Sequence, residues 1–271
     1  MQKSTPWIQM AVLSLALALH AQDVVRPMPA NANPAFEAVT IKPSDPESQG
    51  KDFSFQGHRV WARNYNVDDI IAIAYGLHAR QIVGAPAWLS ATLYDINGVP
   101  DVEGVPNQRQ KKLMMQKLLA DRFQLTFHRE KRTLAVYAIT LAPGGPKLTQ
   151  SAAGPDDPDL FRLHWPNGVA ATNMTLAEFA IWFQKVVMDK PVVDHTGLTG
   201  RYTFELNWTP NESQFTQLRG TGLAPPPPTN DPNAPPGLFT AIREQLGLKL
   251  EAIKAPVDVI VIDHINRPSP N

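Results

Sequence analysis

The alternation of apolar and polar side chains changes period several times along this chain, and each change marks an element. Phe36–Lys42 (FEAVTIK) alternates with a period of two, as a half-buried strand does. Two short strands around a turn follow, over Phe53–Phe55 and Val60–Ala62. The period then lengthens. Asn66 is a good N-cap with Asp69 three residues on, and Ile70, Ile71, Ile73 and Ala74 recur at helical spacing until Gly76 stops the run. Gln81–Val83 is short and β-like, Tyr94–Ile96 predicts a strand, and Gln108–Ala120 predicts a helix with Leu113, Met114, Leu118 and Leu119 as its stripe. Phe123–Arg129 and Leu134–Thr140 both alternate, and with Glu130–Thr133 between them they predict a β-hairpin.

Past a Gly/Pro/Ser/Asp-rich linker at 143–159, the same succession returns. Leu160–Trp165 and Val169–Ala171 predict strands around the turn signal Asn167-Gly168. Thr175 and Glu178 form a capping box, and Phe179, Trp182, Phe183 and Val186 make a helical stripe. Pro191–Val193 is a strand, Gly197–Gly200 a turn, and Arg201–Trp208 a strongly alternating strand. A long polar, Pro-rich insertion at 209–236 separates these from a helix over Leu238–Gly247 and a second hairpin, Leu248–Ile253 with Val257–Asp263.

The order strand, strand, helix, strand, strand, helix, hairpin thus occurs twice. Asn64 with Asn173, Asn66 with Thr175, and Asp69 with Glu178 stand at one constant separation, and Tyr94 with Tyr202 falls one residue short of it. The stretch Ala171–Leu206 therefore reads as a second copy of Ala62–Val99. The expected fold class is α+β: two similar lobes from an internal duplication, each an antiparallel sheet with covering helices, with a crevice between them. The expected division is a signal peptide at 1–21, a flexible leader at 22–35, repeats at 36–142 and 160–267, and the linker between.

The address comes from the start of the chain. Lys3, the apolar run Ala11–Leu19 and Ala21 form a secretory signal, and the run is about half of the roughly 20 residues that span a bilayer. Cleavage after Ala21 would leave no transmembrane segment. The chain has no cysteine, so an exported product is held by its hydrophobic core rather than by disulfides. That combination points to a bacterial periplasm or the extracellular space. Twenty-five basic residues balance 25 acidic ones, which leaves no electrostatic footprint for nucleic acid. The 26 prolines gather in connectors.

Candidate chemistry is sparse. The histidines show no H-E-x-x-H and no zinc spacing, no G-x-S-x-G elbow occurs, and no Gly-rich phosphate loop joins a strand to a helix, so neither metal nor cofactor is expected. In Asp194-His195 and Asp263-His264 the neighbours point to opposite faces of a strand. Asp68-Asp69 reads as part of a cap. The turn Gly197-Leu-Thr-Gly200, with Asp194, His195, Arg201 and Tyr202 around it, is the one candidate ligand-binding cluster; its plainer reading is a tight turn in which Arg201 pairs with Asp194. Trp61, Trp88, Trp165 and Trp208 flank turns, either as core edges or as a stacking surface.

The segments FEAVTIKPSDP, FSFQGHRVWARNYNVDDIIAIAYGL, IVGAPAWLSATLYDI, LLADRFQLTFHRE, YAITLAPGGPKL, PVVDHTGLTGRYTFELNWTP and LFTAIREQLGLKLEAIKAPVDVIVIDHINRPSPN together resemble an exported soil-bacterial family catalogued as domain of unknown function 3738. The resemblance spans nearly all of the mature chain and brings no catalytic residues with it. Relatives in which the domain follows a membrane metallopeptidase of the antibiotic-sensor type imply a sensing or binding role. Each half is also similar in pattern to the small partner-binding modules at the periplasmic end of secretins. Three functions are therefore in view: a non-catalytic binding module for a peptide, glycan or envelope protein; a periplasmic hydrolase near Asp194, His195 and Arg201; or an envelope structural or assembly protein.

Overall fold

The apolar periods take shape as α+β layers in a computed structural model, which describes residues 26–268 except 49, 57, 58, 156, 158, 166, 217–230 and 232. The segment at 1–21, expected as a signal peptide, and much of the Pro-rich insertion lie outside the described residues. The first half runs β1 (Phe36–Pro43), β2 (Asp52–Gln56), β3 (Arg59–Asn66), α1 (Val67–Tyr75), β4 (Ile82–Val83), α2 (Trp88–Ala91), β5 (Leu93–Pro100), α3 (Gln108–Phe123) and β6 (Thr126–Leu141). The second runs β7 (Thr149–Gln150), β8 (Leu160–His164), β9 (Gly168–Met174), α4 (Leu176–Val186), β10 (Val192–Asp194), β11 (Tyr202–Asn207), α5 (Leu238–Leu246) and β12 (Leu248–His264).

Two outer sheets have the same strand succession, β1-β5-β3-β2 and β7-β11-β9-β8, and a central sheet is ordered β10-β6-β12-β4. The two expected hairpins are not hairpins. Glu130–Thr133 is no turn: β6 continues through it, β12 likewise continues through Lys254–Pro256, and the two long strands pair antiparallel with each other from Leu248↔Leu141 to His264↔Thr126. The short strands then cross over. β10 of the second half pairs parallel with β6 at Val192↔Tyr137, and β4 of the first half pairs parallel with β12 at Ile260↔Ile82.

The cores follow this exchange. Ile70, Ile71, Tyr94, Ile96, Leu118, Leu119 and Phe123 pack with Ile260 and Ile262 from the far end of β12. Phe179, Phe183, Trp208, Phe215, Leu238 and Ile242 pack with Tyr137 and Ile139 from the far end of β6. Each long strand therefore starts in the core of its own half and ends in the core of the other. Residues expected as a flexible leader lie along α3: Met28 is buried, and Gln110 Nε2 and Lys117 Nζ donate to the Pro29 and Asn33 carbonyls at 2.7 and 2.8 Å.

One junction is built alike in both halves. Asn64 and Asn173 stand two residues before the N-caps Asn66 and Thr175, with φ of 58° and 51°. Asparagine tolerates this left-handed conformation better than most side chains. Its amide then holds the preceding loop. Asn64 Nδ2 donates to Gly50 O at 2.6 Å, and Asn173 Nδ2 donates to Gly154 O at 3.0 Å and Asp157 O at 3.3 Å. Asn173→Ala loses these buried bonds and puts at positive φ a side chain that tolerates it less well than asparagine does. We expect it to cost about 3 kcal/mol in urea unfolding, with Asn173→Gly about 1 kcal/mol less costly because only the bonds are lost.

Candidate functional site

The turn singled out in the sequence is a structural corner. Asp194 ends β10, and its carboxylate accepts from Thr196 N at 2.9 Å and Thr196 Oγ1 at 2.7 Å. His195 is exposed, and its backbone N–H extends the β10–β6 ladder by donating to Ile139 O at 2.9 Å. Arg201 does not pair with Asp194. Its Nη2 donates to Asn173 O at 2.6 Å and meets Glu178 Oε2 at 3.1 Å, and its side chain is 15 % exposed. Glu178 closes the capping box of α4 with the same oxygen, accepting from Thr175 N at 2.9 Å. Tyr202 begins β11 opposite Gln150 and Met174, with its ring against Gly200. Arg201 thus braces the β9–α4 junction while Asp194 shapes a turn. The second Asp-His pair also splits, since Asp263 Oδ1 meets His128 Nδ1 across the sheet at 2.7 Å.

The concave site lies elsewhere, between α1 and α4. The two helices approach closely because Gly76, the left-handed C-cap of α1, presents no side chain to Ile181; a Cβ there would stand 3.3 Å from Ile181 Cδ1. The buried amide of Gln184 ties the contact, donating to Gly76 O at 3.2 Å and accepting from Val192 N at 2.9 Å. The cleft so formed has two chambers, of about 230 Å³ and about 150 Å³, which share Phe53, Ala72, Trp182 and Lys185. Lys185 Nζ sits 5.0 Å from the centre of the Trp182 ring and 5.7 Å from that of Phe53, at the neck between the chambers. Trp182 also stacks on Phe161 at 5.9 Å.

The larger chamber is mixed in charge. Lys51 Nζ pairs with Asp69 Oδ2 at 2.6 Å, beside the Tyr65 ring. Burial, then the Asp69 and Asp52 carboxylates, push the Tyr65 phenol up. Burial and the neighbouring Asp69 also push Asp68 above the usual carboxylate range. Asp68 Oδ1 is buried without a hydrogen-bond partner among the described residues. His78 Nδ1 accepts from Arg80 N at 3.1 Å, which leaves the ring proton on Nε2. Burial holds the His78 pKa down to about 4, Arg80 pushes the same way, and the Met188 carbonyl and Asp189 pull against them.

The smaller chamber carries Lys111, Lys112 and Lys185, with Phe55, Gln108 and Ile181, and no acid lines it. Lys111 Nζ stands 5.1 Å over the Phe55 ring. Burial lowers the pKa of both Lys111 and Lys112, and brings Lys185 down to about 8 against the pull of Asp69.

Sequence reasoning placed Trp182 in the core stripe of α4. Phe179 and Phe183 are that stripe, and both are buried, whereas Trp182 points with Lys185, one turn on, into the cleft. The lysines gave no local signal, because Lys51, Lys111, Lys112 and Lys185 come from three separate segments. Asn66 alone caps α1; Asp68 and Asp69 lie in its first turn and also line the cleft.

A family model described as "Protein of unknown function (DUF3738)" matches residues 68–265. No curated protein and no solved structure matches the chain.

Two titrations follow from these environments. His78 has a folded pKa below its unfolded value of 6.5, so the unfolded chain binds its proton first; stability should be full above pH 6.5 and fall as pH drops toward 4, by up to about 3 kcal/mol. His78→Gln should flatten that limb in urea titrations. Lys185 is also lowered, so its burial penalty is full at pH 7 and lifts between about pH 8 and 10.5. Lys185→Met should raise Tm at pH 7 and remove that rise.

Proposed function

Because the chain belongs to the DUF3738 family of proteins of unknown function, we infer its role from its own geometry: an exported, non-catalytic module that binds a small organic ligand in the cleft between α1 and α4. One observation carries this reading. Both halves build a concave, aromatic-walled site in which Asp68 Oδ1 is buried with no hydrogen-bond partner among the described residues. A buried donor or acceptor left unpaired costs about 1–3 kcal/mol, and a ligand that satisfies it recovers that cost on binding. Hydrophobic walls with few convergent polar groups are the usual form of such sites.

Export is supported by Lys3, the run Ala11–Leu19 and Ala21. We further propose that residues 36–142 and 160–267 are duplicated repeats. The recurring order of elements, the matching outer-sheet orders and the paired Asn64 and Asn173 junctions support that reading. A hydrolase at Asp194, His195 and Arg201 needs those groups to converge; Arg201 is committed to Glu178 and Asn173, and Asp194 to Thr196.

The test is calorimetric titration of the mature protein with short peptides, glycans and aromatic acids. A ligand of the cleft should lose about 10- to 100-fold in affinity with Trp182→Ala, the scale of about 1.5–3 kcal/mol for a buried aromatic contact, while circular dichroism shows the same fold. Affinity unchanged in that variant would sink the cleft as the binding site.

A further inference from the structure

Resting on the cleft being the binding site, we propose that its smaller chamber is an anion subsite that takes a carboxylate or phosphate of a ligand whose flat apolar body lies against Trp182 and Phe53. Three ammonium groups gather there without an ion pair among the described residues. Lys111 and Lys112 come from the second turn of α3, and Lys185 from α4. All three line one chamber of about 150 Å³, and no acid lines it with them. Among the described residues, none of the three makes an ion pair. Lysine is rarely buried without a partner, because its ammonium loses hydration that only an opposite charge or hydrogen bonds can replace.

The nearest acids are otherwise engaged. Asp69 is held by Lys51 at 2.6 Å, and Glu178 by Arg201 at 3.1 Å and by the N-cap of α4. Asp159 acts on Lys111 and Lys112 only at a distance, and burial keeps its own pKa raised. What the ammonium groups do meet are ring faces: Phe55 for Lys111, and Trp182 and Phe53 for Lys185. Cation–π contact offsets part of the lost hydration but leaves the charge unneutralised. The lowered pKa values of the three lysines express the same deficit. An entering anion reverses it, and charge-assisted hydrogen bonds in a site with little water are stronger than neutral ones.

The ligand's body is set by the neck. Phe53 and Trp182 belong to both chambers, so an anion seated at Lys111 and Lys112 must carry its remainder between those rings. Beyond them, Asp68 Oδ1 offers a buried polar atom without a partner among the described residues. The arrangement suits an aryl phosphate or aryl carboxylate bearing a polar group at its far end.

The experiment compares phenyl phosphate, benzoate, benzyl alcohol and inorganic phosphate by isothermal titration at pH 7, with the wild type, Lys111→Gln/Lys112→Gln, Lys111→Arg/Lys112→Arg and Trp182→Ala. Phenyl phosphate or benzoate is expected to bind at least 10-fold tighter than benzyl alcohol, and inorganic phosphate more weakly than phenyl phosphate. Which of the two aryl anions binds tighter identifies the head group. The Gln double variant should erase the advantage over benzyl alcohol, the Arg variant should keep it, and Trp182→Ala should weaken all aryl compounds. Equal affinity for phenyl phosphate, benzoate and benzyl alcohol, all weakened by Trp182→Ala, overturns the anion subsite and leaves the cleft reading intact. Anion binding that the Gln variant lowers but Trp182→Ala does not is attraction to surface lysines, and also overturns it. Binding that no variant alters, or no binding of any of the four compounds to the wild type, overturns the anion subsite and the cleft reading together.

Discussion

The antiparallel pairing of β6 with β12 is the constraint on which the rest of the structure depends. It is the longest ladder in the protein, and it does more than join two strands. Tyr137 and Ile139 enter the second core only because β6 runs past its own half, and Ile260 and Ile262 enter the first only because β12 does the same. Four buried side chains of that size carry on the order of 1.5–3 kcal/mol each. Removing the ladder would therefore cost hydrogen bonds and open both cores together. β10 and β4 reinforce the exchange, since each lies against the long strand of the opposite half.

The cleft inherits its character from this interlocking. α4 is fixed through β10 to a strand of the first half, so it faces α1 across a seam that neither half could make alone. Polar groups that meet at a seam come from segments with no local reason to be complementary. Lys51 finds Asp69, but Lys111 and Lys185 find rings instead of acids. By contrast, Arg201, Glu178, Thr175 and Asn173 all serve one strand–helix junction, and there every charge is matched.

The elements were legible in the sequence where local chemistry decides them. Asn66 and Thr175 cap the helices that they were expected to cap, and β3, β5, β9 and β11 lie where alternation put them. The hairpins were misread for a physical reason. Glu130–Thr133 and Lys254–Pro256 are polar or Pro-containing where the ribbon passes between the two larger cores, and a smaller cluster of Val136, Ala255, Val257 and Val259 covers one face there. A break in apolar alternation looks the same whether the chain turns or runs on as a strand, and only the partner strand distinguishes them. The site was hidden by the same non-locality. The glycine-rich turn at 197–200 was conspicuous in sequence and proved to be a corner, while the crevice expected between the halves is lined by residues that are unremarkable singly.

Gln184 gives that crevice an unusual property. Its one side-chain amide holds the end of α1 and the start of β10 at once, from a position 3 % exposed. Two-lobed receptors generally announce their cargo by swinging shut about a hinge. Here the two halves of the chain are threaded through each other by β6 and β12 and tied at the lip by Gln184, an arrangement that opposes such a swing. A guest in this cleft would be admitted by rotation of the Trp182 and Lys185 side chains, over picoseconds to nanoseconds, rather than by domain closure over microseconds or longer. Any message passed on from such a protein would then lie in the changed charge and contour of one surface, not in a change of overall shape.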